Sequence, residues 1–88
     1  MTGEYSINIT ERAKKDFRKL NAEIRVKLIN DVLLLKTNRK SKNIKMLVGP
    51  NIPKYRLRVG DYRVLFDVID SQKEILIIRA GHRKDIYK

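Results

Sequence analysis

The sequence contains no cysteine among its 88 residues, which excludes both a disulfide staple and a thiolate metal site. Long hydrophobic runs are also missing. The longest apolar stretches, VLLL at 32–35 and ILII at 75–78, are far too short to span a bilayer. The N-terminus lacks the basic start and apolar run of a signal peptide. We therefore expect a soluble, cytoplasmic protein with no membrane partner.

Aromatic residues make up only 7% of the chain, which argues against a broad base-stacking platform for single-stranded nucleic acid. No internal repeat, low-complexity tract or Pro/Ser-rich linker divides the sequence, so residues 1–88 are predicted to form a single domain. A domain this small hides only about 60% of its unfolded-chain surface. A deep cofactor pocket is hard to build in such a thin core, and we expect neither a cofactor nor a metal.

Positive charge is what the chain has in excess: 21 Lys and Arg against 10 Asp and Glu give a formal net charge of +11. Such a field attracts polyanions and repels other copies of the same protein. Nucleic acid is therefore the first partner to consider. An acidic protein would respond to the same field, and the two partners could bind at different times.

The first third of the chain predicts a strand and a helical hairpin. Residues 5–9 alternate apolar and polar side chains, as a half-buried strand does. Thr10 is a good N-cap for a first helix, and Asn21 separates it from a second helix that runs from Ala22 to about Lys36. The stretch 37–45 carries several cations and no apolar period, so it is predicted to be a loop.

Gly60-Asp61 lies between two alternating runs and predicts a two-residue β-hairpin turn, which fixes the register of the flanking strands. The opposed pairs are Val59 and Tyr62, Arg58 and Arg63, Leu57 and Val64, Arg56 and Leu65, and Lys54 and Asp67. Opposed residues share a face of the sheet. Tyr55, Leu57, Val59, Tyr62, Val64, Phe66 and Val68 then form an apolar face. Lys54, Arg56, Arg58 and Arg63 point the other way and define what we call the cationic face.

A further strand is predicted over 74–80, and GHRKDIYK at 81–88 is predicted to form a turn of helix at the end of the sheet. The predicted fold class is α+β: a small, mostly antiparallel sheet with the N-terminal αα-hairpin packed on its apolar face. The cationic face remains open to solvent.

The cationic face has the chemistry to handle a phosphodiester. Like charges directly opposed on a sheet are destabilising, so Arg58 facing Arg63 favours a bound anion. Guanidinium groups match phosphate oxygens and stabilise the charge of a pentacoordinate transition state. RNA carries its own nucleophile in the 2′-hydroxyl, so an enzyme need only orient it and manage two protons. The alternative reading is a merely solvated row of Lys and Arg.

At KYRLRVGDYRVLF and ILIIRAGHRKDIY the chain resembles the RelE/ParE superfamily of toxins, and within it the RelE-like branch. The resemblance implies a RelE-like (microbial RNase-like) architecture. It further implies cleavage of messenger RNA in the ribosomal decoding site, without a metal, to a 2′,3′-cyclic phosphate and a 5′-hydroxyl. The implied partners are messenger RNA, the ribosome and a cognate RelB-like antitoxin with an acidic or amphipathic segment.

The resemblance also assigns catalytic residues by position. Lys54 and Arg56 match two basic residues near the 2′-hydroxyl, and Arg63 matches the arginine on the scissile phosphate. Arg83 matches the residue that stabilises the transition state or assists the leaving group. Tyr87 matches the tyrosine that stacks on or orients the base.

Two departures from the family pattern bear on the proton transfers. Position 56 is arginine where the best-studied members have lysine, and the tail between Arg83 and Tyr87 is shorter. Arginine stays protonated at physiological pH and is a poor general base, so Lys54 is the better candidate. His82, the only histidine, is a possible proton-transfer group, although a lone histidine is often incidental.

Three further cations, Arg58, Lys42 and Lys45, are predicted to bind RNA, with a solvated surface as the alternative. Two other functions remain open. One is a ParE-like toxin that inhibits gyrase without nuclease activity; the other is a nucleic-acid-binding module that is not an enzyme.

Overall fold

The computed structural model describes residues 4–50 and 53–86 and has an α+β architecture. Its elements in these residues are β1 (Ser6–Ile9), α1 (Glu11–Arg18), α2 (Ala22–Leu34), β2 (Ile44–Met46), β3 (Tyr55–Val59), β4 (Tyr62–Ile69) and β5 (Glu74–His82). A short 3₁₀ turn over Asp70–Gln72 joins β4 to β5. Within this part of the chain neither α-helix is long and apolar enough to cross a membrane.

Both helices begin where a capping side chain satisfies an orphan backbone N–H. The Thr10 hydroxyl accepts from the Ala13 N–H at 3.1 Å, which confirms the predicted N-cap of α1. The Asn21 side-chain oxygen accepts from the Ile24 N–H at 3.0 Å and starts α2. The residue that interrupts the apolar pattern of the first helix is therefore the cap of the second. The two helices form the expected αα-hairpin.

The five strands form one sheet in the order β1-β5-β4-β3-β2. Three neighbouring pairs are antiparallel, and β1 runs parallel to β5. The prediction of a small, mostly antiparallel sheet is confirmed. The parallel pair joins β1 to the last strand, so the five-stranded sheet is complete only when β1 lies against β5.

One face of the sheet is covered by the helices and forms the core. Its largest fully buried side chains are Phe66, Leu28, Leu35, Ile75, Ile77 and Val64. Leu57, Val59, Val64 and Phe66 belong to this cluster, with Tyr55, Tyr62 and Val68 packed against it as half-buried residues. The apolar face derived from the hairpin register is therefore the face that the helices cover. The cationic face lies on the other side.

Asp16 of α1 closes the edge of β5 where β1 ends. The β1 pairing stops at Ile9 and Ile77. Beyond it, the Asp16 carboxylate accepts from the Ala80 N–H at 3.1 Å and from Arg79 Nε at 2.8 Å. Asp16 is 8% exposed. A buried carboxylate thus takes the place of a neighbouring strand and fixes α1 against the sheet.

Three sequence-based boundaries are corrected by the structure. The predicted loop at 37–45 contains the start of strand β2, because Ile44, Lys45 and Met46 pair with the free edge of β3. Helix α2 ends at Leu34 rather than near Lys36. Strand β5 continues to His82 instead of ending at Ala80, because β4 still offers pairing partners there.

Candidate active site

The β3–β4 turn sets the geometry of the cationic face. Gly60 has φ +59°, and no heavy atom lies within 4 Å of a Cβ added there. The glycine is therefore needed for its backbone conformation rather than for space; glycine at the first central position is typical of a type II′ turn. The observed register runs from Val59 opposite Tyr62 to Tyr55 opposite Phe66, as predicted.

Pairing across the sheet extends the cationic face onto β2. Arg56 is opposed by Lys45 of β2 and by Leu65 of β4, and Leu65 is in turn opposed by Arg79 of β5. Leu65 is only 5% exposed although the helices lie on the opposite side. Its burial on this face is consistent with cover from the stems of the neighbouring cations. Strand β2 thus brings Lys45 beside Arg56.

The opposed Arg58 and Arg63 are held apart by different acceptors. Arg63 Nη1 donates to the carbonyls of Gly60 at 2.8 Å and Tyr62 at 2.9 Å. Arg58 Nη2 donates to Asn43 Oδ1 at 3.3 Å, and the Arg58 N–H donates to the Asn43 carbonyl at 2.9 Å. These contacts fix each guanidinium group and offset part of the repulsion between the two.

The C-terminal turn folds over the same face and delivers Arg83. The Arg83 N–H donates to the Asp61 carbonyl at 2.8 Å, and its Nε lies 3.8 Å from Asp61 Oδ1. A Cβ on Gly81, the strand partner of Arg63, would lie 3.7 Å from Ile86 Cδ1. Ile86, 3% exposed, therefore packs beside Gly81 and anchors the turn.

A pocket of about 390 Å³ collects these cations at the hairpin end of the sheet. Its lining residues are Lys27, Asp31, Asn43, Arg58, Val59, Gly60, Asp61, Arg63 and Arg83. Three of the predicted site arginines, at positions 58, 63 and 83, therefore meet around one space. Several guanidinium groups around one cavity suit a phosphodiester whose negative charge increases in the transition state.

Arg56 on β3 and Lys54, one residue before the strand, lie outside the lining of this pocket. At about 3.3 Å per residue, Arg56 is about 7 Å from Arg58 along the strand, and Lys54 lies two residues farther on. Lys54 is exposed, and its backbone N–H donates to the Asp67 carboxylate at 2.6 Å. Arg56 Nε is buried and has no hydrogen-bond partner among the described residues.

His82 lies on the helix-covered face, away from Arg63 and Arg83. It is opposed to Tyr62, and the two rings meet edge to face at 5.3 Å between centroids. The Lys84 N–H donates to His82 Nδ1 at 3.1 Å. His82 lines a separate pocket of about 370 Å³ beside Asp16. The structure therefore does not bring the histidine into the arginine cluster.

The remaining predicted residues are placed differently. Lys42 is exposed in the turn before β2 and lies outside the lining of the arginine pocket. Tyr87 lies outside the described residues. Among the described residues, no group of three or more His, Asp or Glu side chains is arranged to hold a metal ion.

The sequence alone did not single out Lys27, Asn43 or Asp61, which also line the pocket. Helical spacing shows that Lys27 and Asp31 share a face of α2. Nothing in the sequence says that this face meets the hairpin. Asp61 was identified only as a turn residue, and its contact with Arg83 depends on the fold of the C-terminal turn.

Comparison with known proteins defines the class of protein. The family model described as the ParE toxin of type II toxin–antitoxin systems matches residues 7–87, so the chain belongs to this family. The resemblance to the RelE/ParE superfamily is thereby confirmed.

Individual relatives lie on the RelE side of the superfamily. The chain is 29% identical to the mRNA interferase toxin RelE of Escherichia coli over 80 residues, which cover 91% of this chain and 84% of the relative. Its fold resembles the RelBE2 toxin–antitoxin complex of Mycobacterium tuberculosis with a TM-score of 0.80, 25% identity and 97% coverage of both chains. The isolated E. coli RelE toxin gives a TM-score of 0.72 at 26% identity, covering 89% of this chain and 83% of that one.

Proposed function

We propose that this protein is the toxin of a type II toxin–antitoxin pair and acts as a metal-independent endoribonuclease on messenger RNA. The observation that carries the proposal is the convergence of Arg58, Arg63 and Arg83 on one pocket at the hairpin end of the sheet. The mRNA interferase RelE toxins of E. coli and Shigella flexneri, each 29% identical to this chain, support it.

The proposed reaction uses the nucleophile of the RNA itself. The 2′-oxygen bonds to phosphorus as the bond from phosphorus to the 5′-oxygen breaks. One proton leaves the 2′-hydroxyl, and another is delivered to the departing 5′-oxygen. The products are a 2′,3′-cyclic phosphate and a 5′-hydroxyl, so atoms and charges balance without an oxidant, a metal or a cofactor.

In this scheme the arginines stabilise charge and Lys54 moves a proton. Arg63 and Arg83 bind the scissile phosphate and neutralise the phosphorane, a role suited to fixed donors in a partly enclosed site. Lys54 takes the 2′-hydroxyl proton, since a guanidinium is a poor general base, and Arg56 serves to orient the ribose. The flexible stem of Lys54 allows its ammonium group to reach toward the arginine pocket. We assign base stacking to Tyr87.

The finer parts of the proposal are the place of cleavage and the partners. We propose that the messenger is cut in the ribosomal decoding site, in the cytoplasm, where a +11 chain with exposed Lys42 and Lys45 is drawn to ribosomal RNA. A RelB-like antitoxin with an acidic or amphipathic segment would neutralise this charge. The structural relatives include a RelBE2 toxin–antitoxin complex. Free expression without growth arrest would contradict the toxin assignment.

The test is to map RNA ends after the protein is induced in cells. Codon-associated breaks ending in a cyclic phosphate are expected, because the chain supplies the groups for a 2′-hydroxyl attack. Their absence, with normal expression, would refute the nuclease proposal.

A ParE-like inhibitor of DNA gyrase is the second candidate, because the matching family model carries the ParE description. If the protein inhibits gyrase in this way, we expect no codon-associated breaks in the messenger. A non-enzymatic RNA-binding module would bind RNA with a slope of log K against log salt concentration of about −3 for four neutralised phosphates. It would release no cyclic phosphate, and this absence distinguishes it from a nuclease.

A further inference from the structure

Two of the cations that line the arginine pocket have no role in the proposed chemical step. That step uses Arg63 and Arg83. Lys27 of α2 and Arg58 of β3 line the same pocket, and Asn43 accepts from the Arg58 side chain at 3.3 Å. The cavity of about 390 Å³ is in the range of ordinary ligand pockets.

Neither Lys27 nor Arg58 forms an ion pair with another of the described residues. Lys27 is exposed and has no ion pair with any of them, and Asp31, one turn later on α2, has none either. A lysine four residues before an aspartate is the less favourable order for a helical ion pair, which fits their separation. The pocket holds four cations, Lys27, Arg58, Arg63 and Arg83, against the two acids Asp31 and Asp61.

We propose that Lys27 and Arg58 form a second phosphate subsite, which binds the phosphodiester next to the one that is cleaved. This inference rests on the proposed function, since it extends the path of the RNA strand from the hairpin onto α2. Asn43 positions Arg58, and Lys27 contributes a flexible point charge from helix α2. Asp31 opposes binding because its carboxylate lies in the same pocket.

Two substitutions in the pocket have opposite expected effects. Lys27→Ala weakens RNA binding by about threefold and makes the salt slope about 0.7 less negative, the change for one lost phosphate contact on a single strand. When the salt concentration rises from 50 to 200 mM, this variant should lose about 2.6-fold less affinity than the wild type does. Asp31→Asn tightens binding, because it removes a negative charge beside the phosphate. General damage to the fold would weaken binding in both variants.

Matched controls separate the pocket from the overall field. Lys15→Ala removes the same charge from an exposed position on α1, and Glu4→Gln removes an acid from an exposed position before β1. Neither residue lines the pocket. Both controls should keep the wild-type salt slope. Thermal unfolding of all four variants checks that each remains folded.

The experiment measures binding of a fully 2′-O-methylated single-stranded RNA to the purified protein by fluorescence anisotropy across a salt series. This RNA has no free nucleophile, so the result does not depend on cleavage or on the ribosome. Wild-type binding, a shallower slope for Lys27→Ala and tighter binding for Asp31→Asn support the subsite. No binding by wild type, or equal slopes for Lys27→Ala and Lys15→Ala, overturns it. Failure of the proposed nuclease appears separately, as missing RNA breaks in cells.

Discussion

Replacing Arg83 with alanine should lower the rate of cleavage by about 10²–10³ while leaving the fold intact. The side chains of Arg83 and Asp61 are 57% and 68% exposed and lie 3.8 Å apart. An ion pair this exposed contributes less than about 0.5 kcal/mol after solvent screening. The structural contact of the residue is its backbone N–H bond to the Asp61 carbonyl at 2.8 Å, which alanine keeps. The free energy of unfolding should therefore change little.

The effect on the reaction should be much larger. Loss of one fixed donor that stabilises a charged transition state lowers the rate by about 10²–10³, or about 2.7–4 kcal/mol. The same residue thus contributes several times more to the barrier than to the stability of the fold. This contrast distinguishes a catalytic arginine from one that supports structure.

The assay compares the rate of cyclic-phosphate formation on translated messenger with the thermal midpoint of the purified protein. Arg18→Ala is the matched control, because it removes an exposed arginine from the last turn of α1, away from the pocket. We expect wild-type cleavage by the control. Cleavage by Arg83→Ala at the wild-type rate would show that the catalytic charge has been assigned wrongly. A rate loss that accompanies unfolding would refute the division between stability and activity.

Three further predictions concern stability. Asp16→Ala should lower the free energy of unfolding by about 2–4 kcal/mol, because it leaves the Ala80 N–H and the largely buried guanidinium of Arg79 unpaired. Asp16→Asn keeps an acceptor and should lower it less, as measured by denaturant titration. Gly60→Ala should cost about 1–2 kcal/mol through backbone strain alone, and a neutral effect would contradict the φ of +59°. The Tyr5 hydroxyl donates to the Asp70 carboxylate, and this bond raises the pKa of Tyr5. The bond therefore contributes fully to the free energy of unfolding below about pH 10, and this contribution is lost as the pH rises through the raised pKa. Ultraviolet titration should show this pKa falling in Asp70→Asn, and no fall would remove Asp70 as the cause.

Much of the hairpin was predictable, because its order is local. A two-residue turn fixes the register of both strands, and the alternation along them then fixes the faces. Arg58 and Arg63 therefore oppose each other as predicted. The N-cap at Thr10 is local for the same reason, since its hydroxyl bonds a backbone N–H only three residues away.

The parts that were missed depend on partners distant in sequence. Strand β2 has three residues, too few for a recognisable alternation, and forms because β3 offers an edge. The pairing of β4 with β5 shifts between Leu65 and Phe66, which breaks the simple alternation of β5. The sequence pattern therefore does not predict which face of the sheet Arg79 lies on. Arg79 pairs instead with Asp16, which is 63 residues away in the chain.

The sequence by itself determined the charge, the hairpin register and the separation of apolar from cationic side chains, since these follow from composition and from contacts between near neighbours. Only the tertiary structure decided which cations share a pocket. Packing of Ile86 over Gly81 brings Arg83 to the hairpin, and the helical hairpin brings Lys27 to Arg58. Pairing with Tyr62 directs His82 to the opposite face. Such placements depend on how whole elements pack, and no local pattern encodes them.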